Sequence, residues 1–358
     1  MYIYIHIPFC NHICSYCDFP KVLYEKKYIM NYLNMLRKEI ISRYKGEVVK
    51  TIFIGGGTPT SLDYDELKEL LNITNIFKKD YQYEFTIEAN VESLDLSKLK
   101  LLKKMGVNRI SLGVESFDDK IIKILNRKHN KLQIFNLIKE IKKIGIDNIS
   151  IDLMYGITGD IEVVKRDIKE FLKLDIPHIS CYSLIIEDHT LFGIRKREYI
   201  NSNLEYDMYN YINKSLKEAG YCQYEISNYA KAGYQSLHNL NYWNNGSYYG
   251  FGLGAVSFIE NFRINNTKNL SKYLSGSYEE SSNYEDIDIR ISNSLILGFR
   301  KLEGINVKEF NKKYNVDILS LYNIKELLNS GELELSDNYL KIKQKYIYVS
   351  NDILVNFV

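Results

Sequence analysis

The stretch YIYIHIPFCNHICSYCDF, Tyr2 to Phe19, alternates and then breaks. Ile3, Ile5 and Ile7 take turns with Tyr2, Tyr4 and His6, the period of a β-strand, and a loop carrying Cys10, Cys14 and Cys17 follows at once. A C-x-x-x-C-x-x-C loop just past a strand end can gather three thiolates around one inorganic centre and leave a fourth position open. Zinc completed by His6 or His12 is one reading. It is weakened by the absence of the second, distant cysteine pair that structural zinc sites usually have. A [4Fe–4S] cluster wants four ligands, so three cysteines leave one iron for a group that is not protein.

Working outward, the same strand-then-polar-turn unit recurs. Helical spacing runs from about Glu25 to Tyr44, and KTIFI (Lys50–Ile54) reads as a buried strand ending in Gly55, Gly56, Gly57, Thr58 and Pro59. Helices are expected at about Tyr64–Phe77, Leu96–Met105, up to Lys143, and Ile161–Leu174. Strands are expected at Tyr83–Asn90, Asn108–Val114, Asn148–Gly156 and His178–Ile186. Six strands alternating with helices argue for an α/β protein with a parallel sheet, and six units are too few for a complete eight-stranded barrel. A partial (β/α)6 open barrel is therefore expected over residues 1–200. Function in such folds gathers at the carboxyl ends of the strands, where Glu88, Glu115 and Asp152 also fall.

Beyond residue 200 the pattern loosens. Residues 201–280 read as an irregular α+β extension that completes the site, with a helix to about Ala219 followed by glycine, asparagine and aromatics. Ser277–Asp288 (SYEESSNYEDID) reads as a solvated linker. Residues 281–358 read as a helical, winged-helix-like end: a helix at Ile289–Leu302, two more helices, and short strands LELSD, YLKIK and YIYVS. Over residues 306–358 seven lysines stand against seven acidic residues and arginine is absent, unlike a DNA-reading wing.

With 47 basic against 45 acidic residues, the net charge of +2 provides no field that would favour nucleic acid or an anionic membrane. Five cysteines, three of them crowded together, do not make a disulfide framework and fit a reducing compartment. No signal peptide or membrane span is expected, and the expected location is the cytoplasm. GGGTPT lacks the Lys-Ser/Thr ending of a phosphate loop; glycines there let the main chain approach a ligand closely.

These residues resemble a known family. Cys10, Cys14 and Cys17 with Tyr16, and Gly55–Thr60, look like the cluster and glycine motifs of the radical S-adenosylmethionine (SAM) superfamily. More closely, IHIPFC, YCDF, GGGTPT, NRISLGVESF, DLMYG, HISCYSL, YEISNYA, HNLNYW and GFGLGA resemble the branch containing oxygen-independent coproporphyrinogen III oxidase and its haem-chaperone relatives. The resemblance implies a [4Fe–4S] cluster on the three cysteines with SAM at the open iron. It implies SAM contacts from Tyr4, Gly57, Thr58, Glu88, Glu115, Arg127 and Asp152, the carboxylates suiting ribose hydroxyls and Arg127 the SAM carboxylate.

Two functions stand side by side under that resemblance. One is a porphyrin-biosynthetic oxidoreductase that decarboxylates coproporphyrinogen III; the other is a carrier that binds haem and passes it to an acceptor haem protein. The oxidases have a further cysteine two residues after the third and a long N-terminal extension. Here that position is Phe19, and the cysteine motif starts at Cys10, both of which favour the carrier. In the carrier branch HNLNYW is associated with haem, so His238 is either an axial ligand or a buried histidine beside Trp243. Glu115, Asn126, Thr158 and Val256 stand where the family usually has Gln, Gly, Pro and His; the last departure bears on tetrapyrrole binding. The acceptor, soluble or in a membrane, and the state of the protein, monomer or dimer, stay open at this level.

Overall fold

The computed structural model describes residues 1–358. Strand β1 (Tyr2–Ile7) leads into two short strands, β2 (Phe9–Cys10) and β3 (Val22–Leu23), which pair parallel and pinch the cysteine loop between them. Five βα units follow in order: helix α1 (Lys26–Arg43), β4 (Val49–Gly56), α2 (Tyr64–Ile73), β5 (Lys79–Asn90), α3 (Leu96–Lys104), β6 (Arg109–Glu115), α4 (Asp119–Ile124), α5 (Lys131–Lys143), β7 (Asn148–Tyr155), α6 (Ile161–Leu174) and β8 (His178–Ser183). Helix starts are written locally. Asp63 and Glu66 form a reciprocal capping box at α2, and Asn130 with Gln133 does the same at α5.

Strands β1 and β4 to β8 pair parallel in sequence order, so all six carboxyl ends share one rim. The alternation seen in sequence is the reason. Ile3, Ile5, Ile7, Ile52, Ile54, Ile87, Ile110, Ile149 and Ile151 are fully buried under the helices. The residues between them face the opposite side of the sheet.

The next elements are α7 (Leu191–Ile194), α8 (Ser202–Glu218), β9 (Cys222–Gln223), β10 (Asn228–Ala230), α9 (Leu237–Trp243), β11 (Tyr249–Phe251), β12 (Val256–Ile259), β13 (Phe262–Asn266), α10 (Leu270–Leu274) and β14 (Glu279–Tyr284). They extend the sheet at both edges, to the order β11-β1-β4-β5-β6-β7-β8-β10-β9, with β11 parallel to β1 and β10 antiparallel to β8. The two ends do not pair, and the sheet is open as expected. The expected linker is different: Glu279–Tyr284 is a strand on β13, closing a three-stranded sheet. As an exposed edge strand it is held by backbone hydrogen bonds, which need no apolar alternation to announce them.

The C-terminal part comprises α11 (Ile287–Gly298), β15 (Ile305–Asn306), α12 (Val307–Tyr314), α13 (Ile324–Asn329), β16 (Leu333–Ser336), β17 (Tyr339–Ile342) and α14 (Ser350–Leu354). Helices α12 and α13 followed by the β16–β17 hairpin make the winged-helix-like pattern, and Asp337 and Asn338, both at positive φ, form its turn. The third expected strand, YIYVS at 346–350, is instead the end of a 3-10 turn and the approach to α14. Its apolar alternation serves packing: Ile347 is buried and Tyr348 lies against Tyr206 and Tyr209 of α8. No helix is long and apolar enough to cross a membrane.

Candidate cofactor site

The cysteine loop is tied down from three sides. Val22 and Tyr24 donate backbone N–H groups to Pro8 and Cys10, and Gly57 and Thr58 donate to Ile7 and Phe9. Ser15 donates to Leu125 O and accepts from Phe192 N, while the Asn126 side-chain amide donates to Ile13 O at 2.8 Å. Tyr16 packs on a small apolar cluster of Ile121, Leu125, Met154, Ile157, Leu184 and Phe192. The loop is therefore held by its own β2–β3 pairing together with the turn after β4 and the segments that follow β6 and β8.

Around it the strand ends form a cavity of about 470 Å³ lined by Cys10, Cys14, Cys17, Gly57, Thr58, Glu88, Glu115, Arg127 and Asp152. Nine of the eleven residues singled out in the sequence thus meet in one place. Tyr4 lies outside the lining, where its hydroxyl meets His6 Nδ1 at 2.9 Å. His238 is also outside it. It is 1% exposed, with Nδ1 2.7 Å from Thr51 Oγ1 and Nε2 2.9 Å from Tyr242 OH. Thr51 is four residues before Gly55 on β4, about 13 Å along the strand, so His238 is bonded to the strand well before its carboxyl end. Burial pushes its imidazole down to about 3, so it is neutral. Its backbone N–H and that of Leu237 are capped by Glu84 from β5. None of residues 201–280 lines the cavity.

The glycines mark close approaches. A Cβ on Gly57 would stand 2.7 Å from Pro8 O and 2.8 Å from Cys10 Sγ, and one on Gly55 would stand 2.8 Å from the Glu88 carboxylate. Glu88 accepts from Gly56 N at 3.0 Å. Burial nevertheless pushes its carboxyl up to about 7, the bond from Gly56 opposing and Asp152 adding to the shift. Asp152 is likewise pushed up to about 7, by burial and then by Glu115. Glu115, at φ +65° beside a register shift in β6, accepts from Tyr182 OH at 2.6 Å. Arg127 donates to Gly113 O and lies 3.6 Å from Cys14 Sγ, and its buried Nε has no partner. Burial alone would lower the guanidinium; Tyr16, Glu115, Cys14 and Glu92 overcome it and hold the charge.

This donor set fits the two cofactors. Burial pushes the Cys10 thiol up to about 11 and raises Cys14 and Cys17 as well, so metal binding would displace their protons. No three His, Cys, Asp or Glu side chains converge on a point that would suit a single ion. That spacing is unlike a zinc site, whereas thiolates of a cluster each bind a separate iron. Glu88, Glu115 and Asp152 around one arginine make a cavity that favours a cationic ligand with a carboxylate, as SAM is. When bound, the cluster would supply one-electron reducing power and SAM a sulfonium able to accept that electron.

Asn90, which closes its strand at the expected rim, shares the site, while Ser180, Tyr182 and Glu92 were not anticipated. Asn90, Ser180 and Tyr182 line the cavity, and Glu92 sits 3.4 Å from both His12 Nε2 and His129 Nδ1. Burial works against the Glu92 charge, but His129 and Arg127 hold its carboxyl down at about 2. The period of two would have found part of this set, since Asn90 shares a face with Glu88 and Ser180 with Tyr182. Glu92 carried no such signal.

Three thiols at the mouth of an open parallel barrel, a glycine turn beside them and a ring of carboxylates define a radical SAM protein. Residues 4–174 match the family model of the radical SAM superfamily, and residues 289–347 match that of the HemN C-terminal domain. The chain is 37% identical to the heme chaperone HemW of Lactococcus lactis over 99% of its length and 96% of the relative's. It is also 37% identical to that of Bacillus subtilis, covering 99% and 98% of the two chains, and 35% identical to that of Escherichia coli over 86% and 84%. It belongs to the HemW family. Among solved structures, coproporphyrinogen III oxidase (HemN) from Escherichia coli superposes with a TM-score of 0.88 at 21% identity, covering 99% of this chain and 89% of that one. Radical SAM membership brings a [4Fe–4S] cluster and SAM as cofactors.

Proposed function

We propose that this protein is a cytoplasmic haem carrier that holds a [4Fe–4S] cluster on Cys10, Cys14 and Cys17, binds SAM at the open iron, and passes haem to an acceptor protein. The observation that carries the reading is the full-length identity with proteins named heme chaperone. Phe19 supports it, standing where the oxidases have a further cysteine.

Within the site, Gly57 and Thr58 give main-chain access beside the cluster and Arg127 faces the SAM carboxylate. Glu88, Glu115 and Asp152 accept from its amino group and ribose hydroxyls. Tyr4 acts from below by fixing His6, whose Nε2 lies 2.7 Å from Pro20 O at the end of the cysteine loop. His238 takes the structural reading, a neutral imidazole joining β4 to α9. The second reading, a coproporphyrinogen III oxidase, shares its fold with this chain, a likeness that speaks to fold and not to activity.

The test is transfer. Reconstituted protein loaded with haem is mixed with an apo haem protein. The carrier reading expects the haem absorption to move to the acceptor's spectrum, and retention of haem by the donor at every ratio contradicts it.

A further inference from the structure

The barrel interior beneath the cofactor cavity holds a charged side chain that no acid pairs with. Arg109 opens β6, and the fully buried Ile110 and Leu112 of that strand face the helices, so Arg109, Ser111 and Gly113 share the inner face. Ser111 lines the cavity, and Arg109 is one step deeper, two residues or about 7 Å back along the strand. It is 2% exposed. Its Nε has no hydrogen-bond partner, and neither has the buried Oγ1 of Thr86, its neighbour across the β5–β6 pair.

A buried guanidinium without a paired carboxylate is costly, so its position calls for a role. Glu84, on the same inner face, is not its partner: both carboxylate oxygens accept from the backbone N–H groups of Leu237 and His238. The groups on which the Arg109 charge acts come from four elements: Glu88 of β5, Asp152 of β7, His178 of β8 and His238 of α9. The guanidinium therefore lies among the strands, under the floor that Glu88 and Asp152 form. Burial raises both carboxyls, and Glu115 adds to the rise at Asp152. Glu88 is drawn back down by the Gly56 N–H and by Arg109; Asp152 is drawn down by Ser180, then Arg109, then Arg127. The other ionisable groups here carry no charge. Burial keeps His178, His238 and Tyr224 neutral around Arg109, and does the same for Tyr4 and Tyr242 near Glu88 and for Tyr182 and Cys181 near Asp152.

We infer that Arg109 is a positioning residue of the cofactor cavity, a buried counter-charge that holds Glu88 and Asp152 as acceptors for SAM without itself touching the ligand. A direct ion pair would occupy the carboxylate lone pairs. A charge set one layer back leaves them free to accept, because Coulomb attraction in a low-dielectric interior reaches beyond hydrogen-bond range. This rests on the placing of SAM against Glu88 and Asp152 and deepens it.

The test is the pH profile of SAM binding, by equilibrium dialysis of the reconstituted full-length protein from about pH 5.5 to 9, for wild type, Arg109→Met and Arg109→Lys. Without the charge the two carboxyls ionise at higher pH. Arg109→Met should therefore shift the rise in affinity upward by about one pH unit, with binding about tenfold weaker near pH 7 and restored to wild type near pH 9. Arg109→Lys keeps the charge and should keep the wild-type midpoint. A wild-type profile in Arg109→Met overturns the inference. So does a loss by the same factor at every pH, which marks a packing role. A midpoint raised by a full unit in Arg109→Lys also overturns it, and that variant decides the matter should the methionine variant fail to fold. A wild type whose SAM affinity does not depend on pH overturns the placing of SAM against these carboxylates, and this inference with it.

Discussion

At the scale of single residues, the site balances like charges. Glu88 and Asp152 are both pushed up to about 7, and Arg127 is the one guanidinium that lines the cavity with them. A carboxyl raised in the fold makes the native state bind more protons than the unfolded chain between the ordinary carboxylate range and about pH 7. Across that window the pair's contribution to stability falls as pH rises, and it is constant above it. A cationic ligand needs the charged forms, so SAM affinity should rise through pH 6 to 8 and then level off, as equilibrium dialysis against the reconstituted protein would show. Glu88→Gln should raise the melting temperature of the cofactor-free protein at pH 8 and weaken SAM. Arg127→Gln removes hydrogen bonds to a charged group worth about 1.5–3 kcal/mol, roughly ten- to a hundredfold in SAM affinity. The three cysteines should report separately: Cys14→Ser is expected to lose the cluster's visible absorbance, and unchanged iron content would contradict its role as a ligand.

Among the elements, the strand ends were legible and the turns that brace them were not. Alternating isoleucines announced the parallel strands, and the polar residues closing each strand announced the rim. Glu279–Tyr284 and YIYVS misled in opposite directions, one a polar strand and the other an apolar turn, because edge pairing and local packing leave no periodic mark. His238 was ambiguous for a similar reason: aromatics around a histidine describe a core and a haem pocket equally well. Asn126 is the more instructive departure from the family's glycine. It lies at φ +59°, which glycine or asparagine tolerates, and its amide also holds Ile13 of the cysteine loop. Asn126→Gly should fold normally. Asn126→Val should cost about 1–2 kcal/mol from the backbone alone and should retain less cluster, measured as iron per chain.

Across the whole molecule, one buried carboxylate gathers several of the bonds that join the barrel to the extension. Glu39 of α1 is fully buried and accepts from Tyr273 OH at 2.6 Å, Gly252 N at 2.9 Å, Asn266 Nδ2 at 2.6 Å and Arg43 NH1 at 2.8 Å. Burial raises its carboxyl, and these partners restrain the shift. Removing it leaves the buried donors on Gly252 and Tyr273 without their acceptor and Arg43 with only Asn266 and Ser257, and Glu39→Ala should destabilise the protein by about 3–5 kcal/mol in denaturant unfolding. Only the Arg43 pair, four residues on along α1, was readable from sequence, since Gly252, Asn266 and Tyr273 lie more than two hundred residues away. What the long-range architecture achieves is a fixed cofactor cavity with an exposed, apolar rim. The most direct measurement of the carrier account is a titration of the reconstituted protein with haem, without oxygen and with SAM present, with coproporphyrinogen III turnover assayed in the same preparation. The account predicts saturable haem binding and no decarboxylation. Decarboxylated product with no bound haem would contradict it.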